Sequence, residues 1–117
     1  MPRPIYEVKA EFFKTLGHAS RIRVLELLRE GPQSVSELQP GVGIEASHLS
    51  QQLAVLRRAG LVTSERQGNS MIYSVVDEQI FELLQSAKEL ITKSLTGAGD
   101  LLADLESVEF APPSGDK

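Results

Sequence analysis

Short polar side chains dominate the stretch of sequence between residues 45 and 59. They are Ser47, His48, Ser50, Gln51 and Gln52. Hydroxyl, imidazole and amide groups can hydrogen-bond to the edges of bases, and a glutamine can pair with adenine through two atoms. A helix that only faced solvent would more often carry paired glutamates and lysines. These residues are therefore candidates for reading the bases of a nucleic acid.

Basic side chains lie close to this stretch and could hold phosphate groups. Arg57 and Arg58 end it, and Arg66 follows a few residues later, with the uncharged Asn69 close by as a further candidate contact. The chain of 117 residues has a formal net charge of −4, but the charge is unevenly distributed. Residues 1–76 contain nine Lys or Arg and seven Asp or Glu, whereas residues 77–117 contain three and nine. Since binding to a nucleic acid depends on the charge near phosphate, the acidic total does not exclude it.

Several other kinds of chemistry are excluded or disfavoured. The chain has no cysteine, which excludes disulfides, thiolate zinc sites, thiolate metal sensors and a thiol nucleophile. Its two histidines, His18 and His48, are too few for a His-rich metal site within one chain. No acid–base pair has a recognisable catalytic spacing. We therefore predict that the protein is not an enzyme, and we identify no cofactor.

The composition predicts a single folded domain. Hydrophobic residues make up 41% of the chain and charged residues 24%, which is ordinary for a globular domain. No apolar run approaches the roughly 20 residues that a membrane span needs, and the charged stretch after residues 1–4 is unlike a signal peptide. We therefore expect a cytoplasmic domain over residues 1–110 and a disordered, Pro/Ser/Gly-rich tail over residues 111–117.

The spacing of apolar residues predicts three helices before the polar stretch. The first spans about residues 8–16, and the second runs from a cap at Ser20 to about residue 30. Ser34 or Ser36 can cap a third helix, and Pro40 limits the length of that helix.

The polar stretch itself is predicted to be a fourth helix, over about residues 45–59. Leu49, Leu53 and Leu56 recur four and three residues apart, so they form one buried stripe, and Gly60 ends the helix. The side chains predicted to face outward are Ser47, Gln51, Ala54 and Arg58, with His48 and Ser50 beside them. The face away from the buried stripe is therefore the polar one.

Two strands are predicted directly after this helix. They span residues 61–66 and 71–75 and are joined by a turn at Gly68-Asn69. A helix-turn-helix followed at once by a hairpin is the winged-helix arrangement, which is mainly α with a small β-hairpin. Its second helix enters the major groove, and the hairpin, with Arg66 and Asn69, can reach phosphates or an adjacent groove. We therefore predict a winged helix-turn-helix that binds double-stranded DNA.

The first and last helices carry more apolar residues than a small core needs. Asp77 can cap the last helix, which Gly97 and Gly99 can kink or end before two further turns over residues 101–105. The residues in excess are Phe12, Phe13, Leu16, Ile80, Leu83, Leu84, Leu90 and Ile91. One face can pack inward while another meets a second subunit. We therefore expect a homodimer, which places two reading helices about one DNA turn apart.

Two segments of the sequence resemble the ArsR/SmtB family of winged-helix transcriptional repressors. One is LGHASRIRVL at residues 16–25, and the other combines VSEL at 35–38 with GIEASHLSQQLAVLRRAGLV at 43–62. The resemblance extends over about residues 8–95. It implies a homodimer that binds an inverted-repeat operator and that is released by an inducer, often a metal ion.

The sequence departs from this family at both of its usual metal sites. Ser34 and Ser36 stand where typical members have two cysteines, and neutral hydroxyls are poor ligands for soft metals. Asp77 and Gln79 stand where the second site has an aspartate and a histidine. The later ligand positions hold Leu90 and Lys93. We therefore expect a cysteine-free type of the family that lacks both sites.

Two alternatives stay open at the level of sequence. The domain could be a protein-interaction module with little DNA binding, since a winged helix can keep a dimer surface alone. It could also be a repressor that responds to nickel or zinc through a non-cysteine site between subunits, built from His, Asp or Glu side chains. The inducer is unknown from the sequence.

Overall fold

A computed structural model describes residues 2–97, and these residues form five α-helices and three strands. In chain order they are α1 (Ile5–Leu16), α2 (Ala19–Leu27), β1 (Gln33–Ser34), α3 (Val35–Val42), α4 (Ala46–Arg58), β2 (Val62–Gln67), β3 (Ser70–Val75) and α5 (Gln79–Gly97). The residues up to Glu82 form one unit, and a second unit begins at Leu83.

Helix α1 begins earlier than the predicted first helix, which started at residue 8. Pro4 occupies the N-cap with an extended backbone. Arg3 donates a hydrogen bond to Glu11 Oε1 at 2.9 Å, and this bond lowers the pKa of the Glu11 carboxyl below its ordinary value. The additional residues at the start of the helix include Ile5 and Tyr6, both of which are exposed.

Helix α2 begins before Ser20, so the predicted cap at that serine is wrong. His18 occupies the N-cap with an extended backbone, and its carbonyl oxygen accepts from Arg21 N at 3.0 Å. Ser20 therefore already lies inside the helix. The last predicted turn is a tighter 3₁₀ turn, Leu28–Glu30, which Gly31 ends with a φ of 125°.

Ser34, rather than Ser36, caps α3. Glu37 N donates to the Ser34 hydroxyl at 3.2 Å, and Ser34 N donates to Glu37 Oε1 at 2.8 Å. This reciprocal pair satisfies two backbone groups at the start of the helix. Pro40 lies inside the helix instead of limiting it, and Gly43 ends it in a left-handed conformation. Pro40 has no N–H, so it cannot make the hydrogen bond that would go to the carbonyl of Ser36, a residue that is exposed as a whole.

The predicted hairpin is confirmed and gains a third strand. β2 and β3 pair antiparallel from Val62–Val75 to Gln67–Ser70. β1 pairs with the other edge of β3, so that Gln33 lies opposite Tyr73 and the strand order is β1-β3-β2. The sequence did not predict β1, because a strand of two residues is too short to show alternation.

The core of the first unit lies between α2, α3, α4 and the start of β2. Its most deeply buried residues are Val24, Leu25, Leu28, Leu38, Leu49, Leu53, Leu56 and Val62. Leu49, Leu53 and Leu56 form the predicted stripe on one side of α4. Their burial fixes which face of α4 points outward.

Helix α5 begins as predicted, because Gln79 N donates to the Asp77 carboxylate at 2.8 Å. Gly97 is the last residue of this helix among those that the structure describes. The predictions for residues 98–117 lie outside the described residues; they concern Gly99, two further turns, the domain end and the tail. No helix within residues 2–97 is long and apolar enough to cross a membrane.

Candidate nucleic-acid interface

Helix α4 turns one face to the core and the opposite face to solvent. Leu49, Leu53 and Leu56 are each 0% exposed. The exposed side chains are Ser47, His48, Ser50, Gln51, Arg57 and Arg58. Ala54, which was predicted to face outward, is half-buried. The exposed set is polar at the start of the helix and basic at its end, and it can donate and accept hydrogen bonds along its length.

Gln52 does not belong to this exposed face, and the structure corrects its predicted role as a base-reading residue. Its side chain is 6% exposed, and its Oε1 accepts from Arg21 Nε at 2.8 Å. Arg21 also donates to the carbonyl oxygen of Thr15 at 3.1 Å. Gln52 therefore links α4 to α2 and, through Arg21, to the end of α1. Its spacing contained a signal, because residue 52 lies three positions after Leu49 and four before Leu56, on the buried stripe.

Replacing Gln52 by alanine is expected to lower the free energy of unfolding by about 1–3 kcal/mol, because the half-buried Arg21 side chain loses its acceptor. Replacing the exposed neighbour Gln51 by alanine is expected to change the free energy of unfolding by less than about 0.5 kcal/mol. Urea unfolding followed by circular dichroism measures both variants. Equal losses from the two substitutions would contradict the structural role of Gln52.

The hairpin brings its turn to an exposed tip. β2 and β3 stay paired as far as Gln67 and Ser70. Gly68 follows with a φ of 62°, in the left-handed region that favours glycine. Arg66 and Asn69 beside this turn are both exposed. The predicted contact residues of the hairpin therefore lie where a neighbouring macromolecule can reach them.

Three arginines of α4 and the hairpin have no acidic partner within residues 2–97. They are Arg57, Arg58 and Arg66, and all three are exposed. The ion pairs in that part of the chain are made by Arg3 and Arg23 instead. An arginine without an internal partner keeps its donors available for a phosphate oxygen. Positive charge is therefore available at the end of α4 and on the hairpin.

The structure also contains a groove that sequence reasoning missed. It lies between α3, α4 and the hairpin tip and has a volume of about 380 Å³. Its lining includes Ser50 and Asn69, which were predicted to contact DNA. It also includes Ser36 and Tyr73, which were not predicted to do so. Tyr73 lies beside α3 because β3 pairs with β1, the strand directly before that helix. This pairing left no signal in the sequence, since β1 is so short.

The residues at the positions of the two ArsR/SmtB metal sites make hydrogen bonds within the fold here. The hydroxyl oxygens of Ser34 and Ser36 are 3.2 Å apart, and Ser34 caps α3. The Asp77 carboxylate accepts from the backbone at the start of α5. Within residues 2–97, no three His, Cys, Asp or Glu side chains come together in a way that could hold a metal ion.

The two histidines occupy different elements. His18 lies in the turn between α1 and α2, where its Nδ1 is buried without a hydrogen-bond partner among residues 2–97. His48 is exposed on the outward face of α4. Of the two, only His48 lies on the surface that carries the predicted base contacts.

Comparison with known proteins identifies the family. Residues 18–64 match the family described as "Bacterial regulatory protein, arsR family". The chain is 52% identical over 105 residues to the uncharacterized HTH-type transcriptional regulator Rv0081 of Mycobacterium tuberculosis strain H37Rv. This alignment covers 89% of this chain and 92% of that protein. The crystal structure of M. tuberculosis Rv0081 is similar to the present one with a TM-score of 0.75, at 54% identity over 82% of this chain and 97% of that chain.

Two further solved structures share the fold. The crystal structure of the transcriptional repressor BigR from Xylella fastidiosa has a TM-score of 0.64 at 33% identity, over 77% of this chain and 96% of that one. The solution structure of the homodimeric winged helix-turn-helix DNA-binding domain Mb0332 from Mycobacterium bovis has a TM-score of 0.69 at 24% identity, over 78% of this chain and 84% of that one. The predicted winged helix-turn-helix is therefore confirmed. The chain belongs to the arsR family of bacterial regulatory proteins, which are transcriptional regulators and not enzymes.

Proposed function

We propose that this protein is a homodimeric transcriptional repressor that acts in the cytoplasm by occupying an inverted-repeat operator. The observation that carries this function is the exposed face of α4, polar at its start and basic at its end, followed directly by a hairpin whose Arg66 has no acidic partner within residues 2–97. A helix in the major groove and a hairpin beside it would block access of RNA polymerase to the same DNA. The similarity to BigR, which is named a transcriptional repressor, supports the direction of the effect.

The contacts divide into two kinds along this surface. Uncharged groups near the start of α4 can distinguish bases by the donors and acceptors at their edges. We assign this role to Ser47, His48, Ser50 and Gln51. Positive groups and the hairpin tip hold phosphates, which positions the protein without reading sequence. We assign this role to Arg57, Arg58, Arg66 and Asn69.

Exposed apolar side chains support a dimer. On α1, Ile5, Tyr6, Val8 and Phe13 are between 44% and 70% exposed. On α5, Leu90, Ile91 and Leu95 are between 48% and 68% exposed. Apolar patches on a monomer's surface mark sites of association, and we propose that a second copy of the chain covers each of these two faces. A twofold axis would then relate two copies of α4 and match an inverted repeat.

Selection from random duplexes, followed by fluorescence anisotropy at near-physiological salt, tests this function. We expect the selected DNA to be an inverted repeat that binds at least about 10³-fold more tightly than a shuffled duplex. Gln51→Ala is expected to weaken operator binding by about 1–3 kcal/mol and to relax the preference at one base position. Arg66→Ala should instead weaken both duplexes equally. Weak binding of the wild-type protein to both duplexes, with no sequence enriched, would contradict the repressor function and favour a protein-interaction module.

A further inference from the structure

We propose that the groove between α3, α4 and the hairpin tip binds one DNA backbone phosphate through uncharged donors. This proposal rests on the proposed function. The groove is about 380 Å³ in volume, and none of the residues that line it is charged. Its polar lining comes from β1, α3, α4, the turn and β3. These side chains are Ser34, Ser36, Gln39, Ser50, Asn69, Ser70 and Tyr73.

The position of the groove indicates the DNA backbone as its occupant. One wall contains Ser50, which belongs to the exposed face of α4. The other wall contains Asn69, at the tip of the hairpin. If α4 lies in the major groove and the hairpin reaches the adjacent minor groove, the strand that separates these two DNA grooves must cross the space between the two elements. That space is the groove described here.

The lining offers donors that the rest of the fold leaves available. Within residues 2–97, the side chains of Asn69 and Tyr73 make no hydrogen bond to the protein, and the Ser36 hydroxyl meets only that of Ser34. Gln39 is different, because its amide donates to the carbonyl of Ile44 at 3.1 Å. Serine, asparagine and tyrosine side chains are common donors to phosphate oxygens. The apolar remainder of the lining, which includes Val35 and Met71, can contact deoxyribose.

Acidic groups near the groove determine which phosphate it can hold. Glu37 caps α3 through Ser34 N, and Glu45 at the start of α4 lines an adjoining cavity that shares Ser36 and Gln39 with this groove. Both carboxylates disfavour any anion in the groove. A DNA phosphate is held nearby by the contacts of α4 and the hairpin, and these contacts can offset that repulsion, whereas a dissolved phosphate ion has no such contacts. The groove is therefore a site for DNA rather than for a dissolved phosphate ion.

Neutral donors give this contact a distinctive dependence on salt. Counterions are released from DNA when lysine or arginine neutralises phosphates, and this release produces the steep loss of affinity with salt. A hydroxyl or amide adds affinity without adding to that slope. Such contacts allow a surface with few basic residues to bind DNA.

The test compares Ser36→Ala, Asn69→Ala and Tyr73→Phe with wild-type protein on the selected operator and on a shuffled duplex, over a range of potassium chloride concentrations. We expect each variant to weaken binding roughly 3–10-fold on both duplexes, because phosphate contacts carry no sequence information. The slope of log affinity against log salt should stay unchanged in each variant, whereas in Arg66→Ala its magnitude should fall by about 0.9. Thr63→Ala removes an exposed hydroxyl on β2 outside the groove and should bind as wild type.

A methylphosphonate scan of the operator locates the phosphate. In wild-type protein, replacing one phosphate per half-site, between the DNA groove read by α4 and the flanking minor groove, should weaken binding several-fold. In the double variant Ser36→Ala/Tyr73→Phe the same replacement should cost nothing further. The proposed phosphate site would be overturned if the double variant bound DNA within twofold of wild type, or if it lost affinity for the operator alone. Failure of the proposed function would be visible separately, as a wild-type protein without operator preference, and circular dichroism verifies that each variant is folded.

Discussion

Replacing Leu90 by lysine is expected to convert the protein to a monomer and to weaken operator binding by about 10²–10⁴-fold. Leu90 is 68% exposed on α5, and the same helix carries two further exposed apolar side chains, Ile91 at 59% and Leu95 at 48%. An ammonium group placed in an apolar interface loses its hydration without gaining a partner. In a dimer, binding of one half-site holds the second α4 near its own half-site at a high effective concentration. A monomer loses that advantage although every DNA contact is intact.

Sedimentation velocity and anisotropy together measure this effect. Gln85→Lys adds the same charge at an exposed polar position of α5 and should remain a dimer with wild-type affinity. On a duplex with a single half-site, Leu90→Lys and wild type should bind almost equally, because that comparison removes the contribution of the second subunit. A Leu90→Lys protein that sediments as a dimer would contradict the assignment of this face of α5.

Replacing Leu53 by alanine is expected to lower the free energy of unfolding by about 2–5 kcal/mol. Leu53 is 0% exposed in the middle of the buried stripe of α4. The substitution removes buried methyl groups and leaves a cavity behind the helix that carries the proposed base contacts. We expect DNA binding to fall at temperatures where the variant begins to unfold, since the outward side chains themselves are unchanged.

Urea unfolding at one fixed protomer concentration measures this loss, because the stability of a dimer depends on concentration. Leu53→Met keeps the volume nearly constant and should cost less than about 1.5 kcal/mol. Loss of less than about 1 kcal/mol in Leu53→Ala would contradict the position of Leu53 in the core, since burial of a leucine side chain contributes about 1.5–3 kcal/mol.

The elements of the fold were predictable because their signals are local. The spacing of Leu49, Leu53 and Leu56 determines the buried face of α4 within a few turns of helix. The Gly68-Asn69 turn and its flanking strands likewise lie within a short stretch of chain. The order of these elements was sufficient to predict the winged helix, and the family comparison confirms it.

The wrong predictions concern residues whose type usually favours one position in a structure. At these residues a backbone conformation or a contact with another element determined the outcome instead. Ser20 is a good capping residue, but the extended backbone at His18 starts α2 before it. A proline usually limits a helix, but Pro40 lies inside α3, which continues to Val42. Gln52 is polar by type, but its position on the buried stripe and its bond to Arg21 assign it to the interior.

The sequence by itself determined the winged-helix class, the polar face of α4 and the family, since these depend on residue type and on spacing along one helix or hairpin. Only the tertiary structure decided which polar residues are available to DNA. Arg21 meets Gln52 across 31 positions, and Tyr73 lies beside Ser34 and Ser36 because β1 pairs with β3. Such pairs are set by how separate elements pack, and that packing leaves no periodic pattern in either segment of the chain.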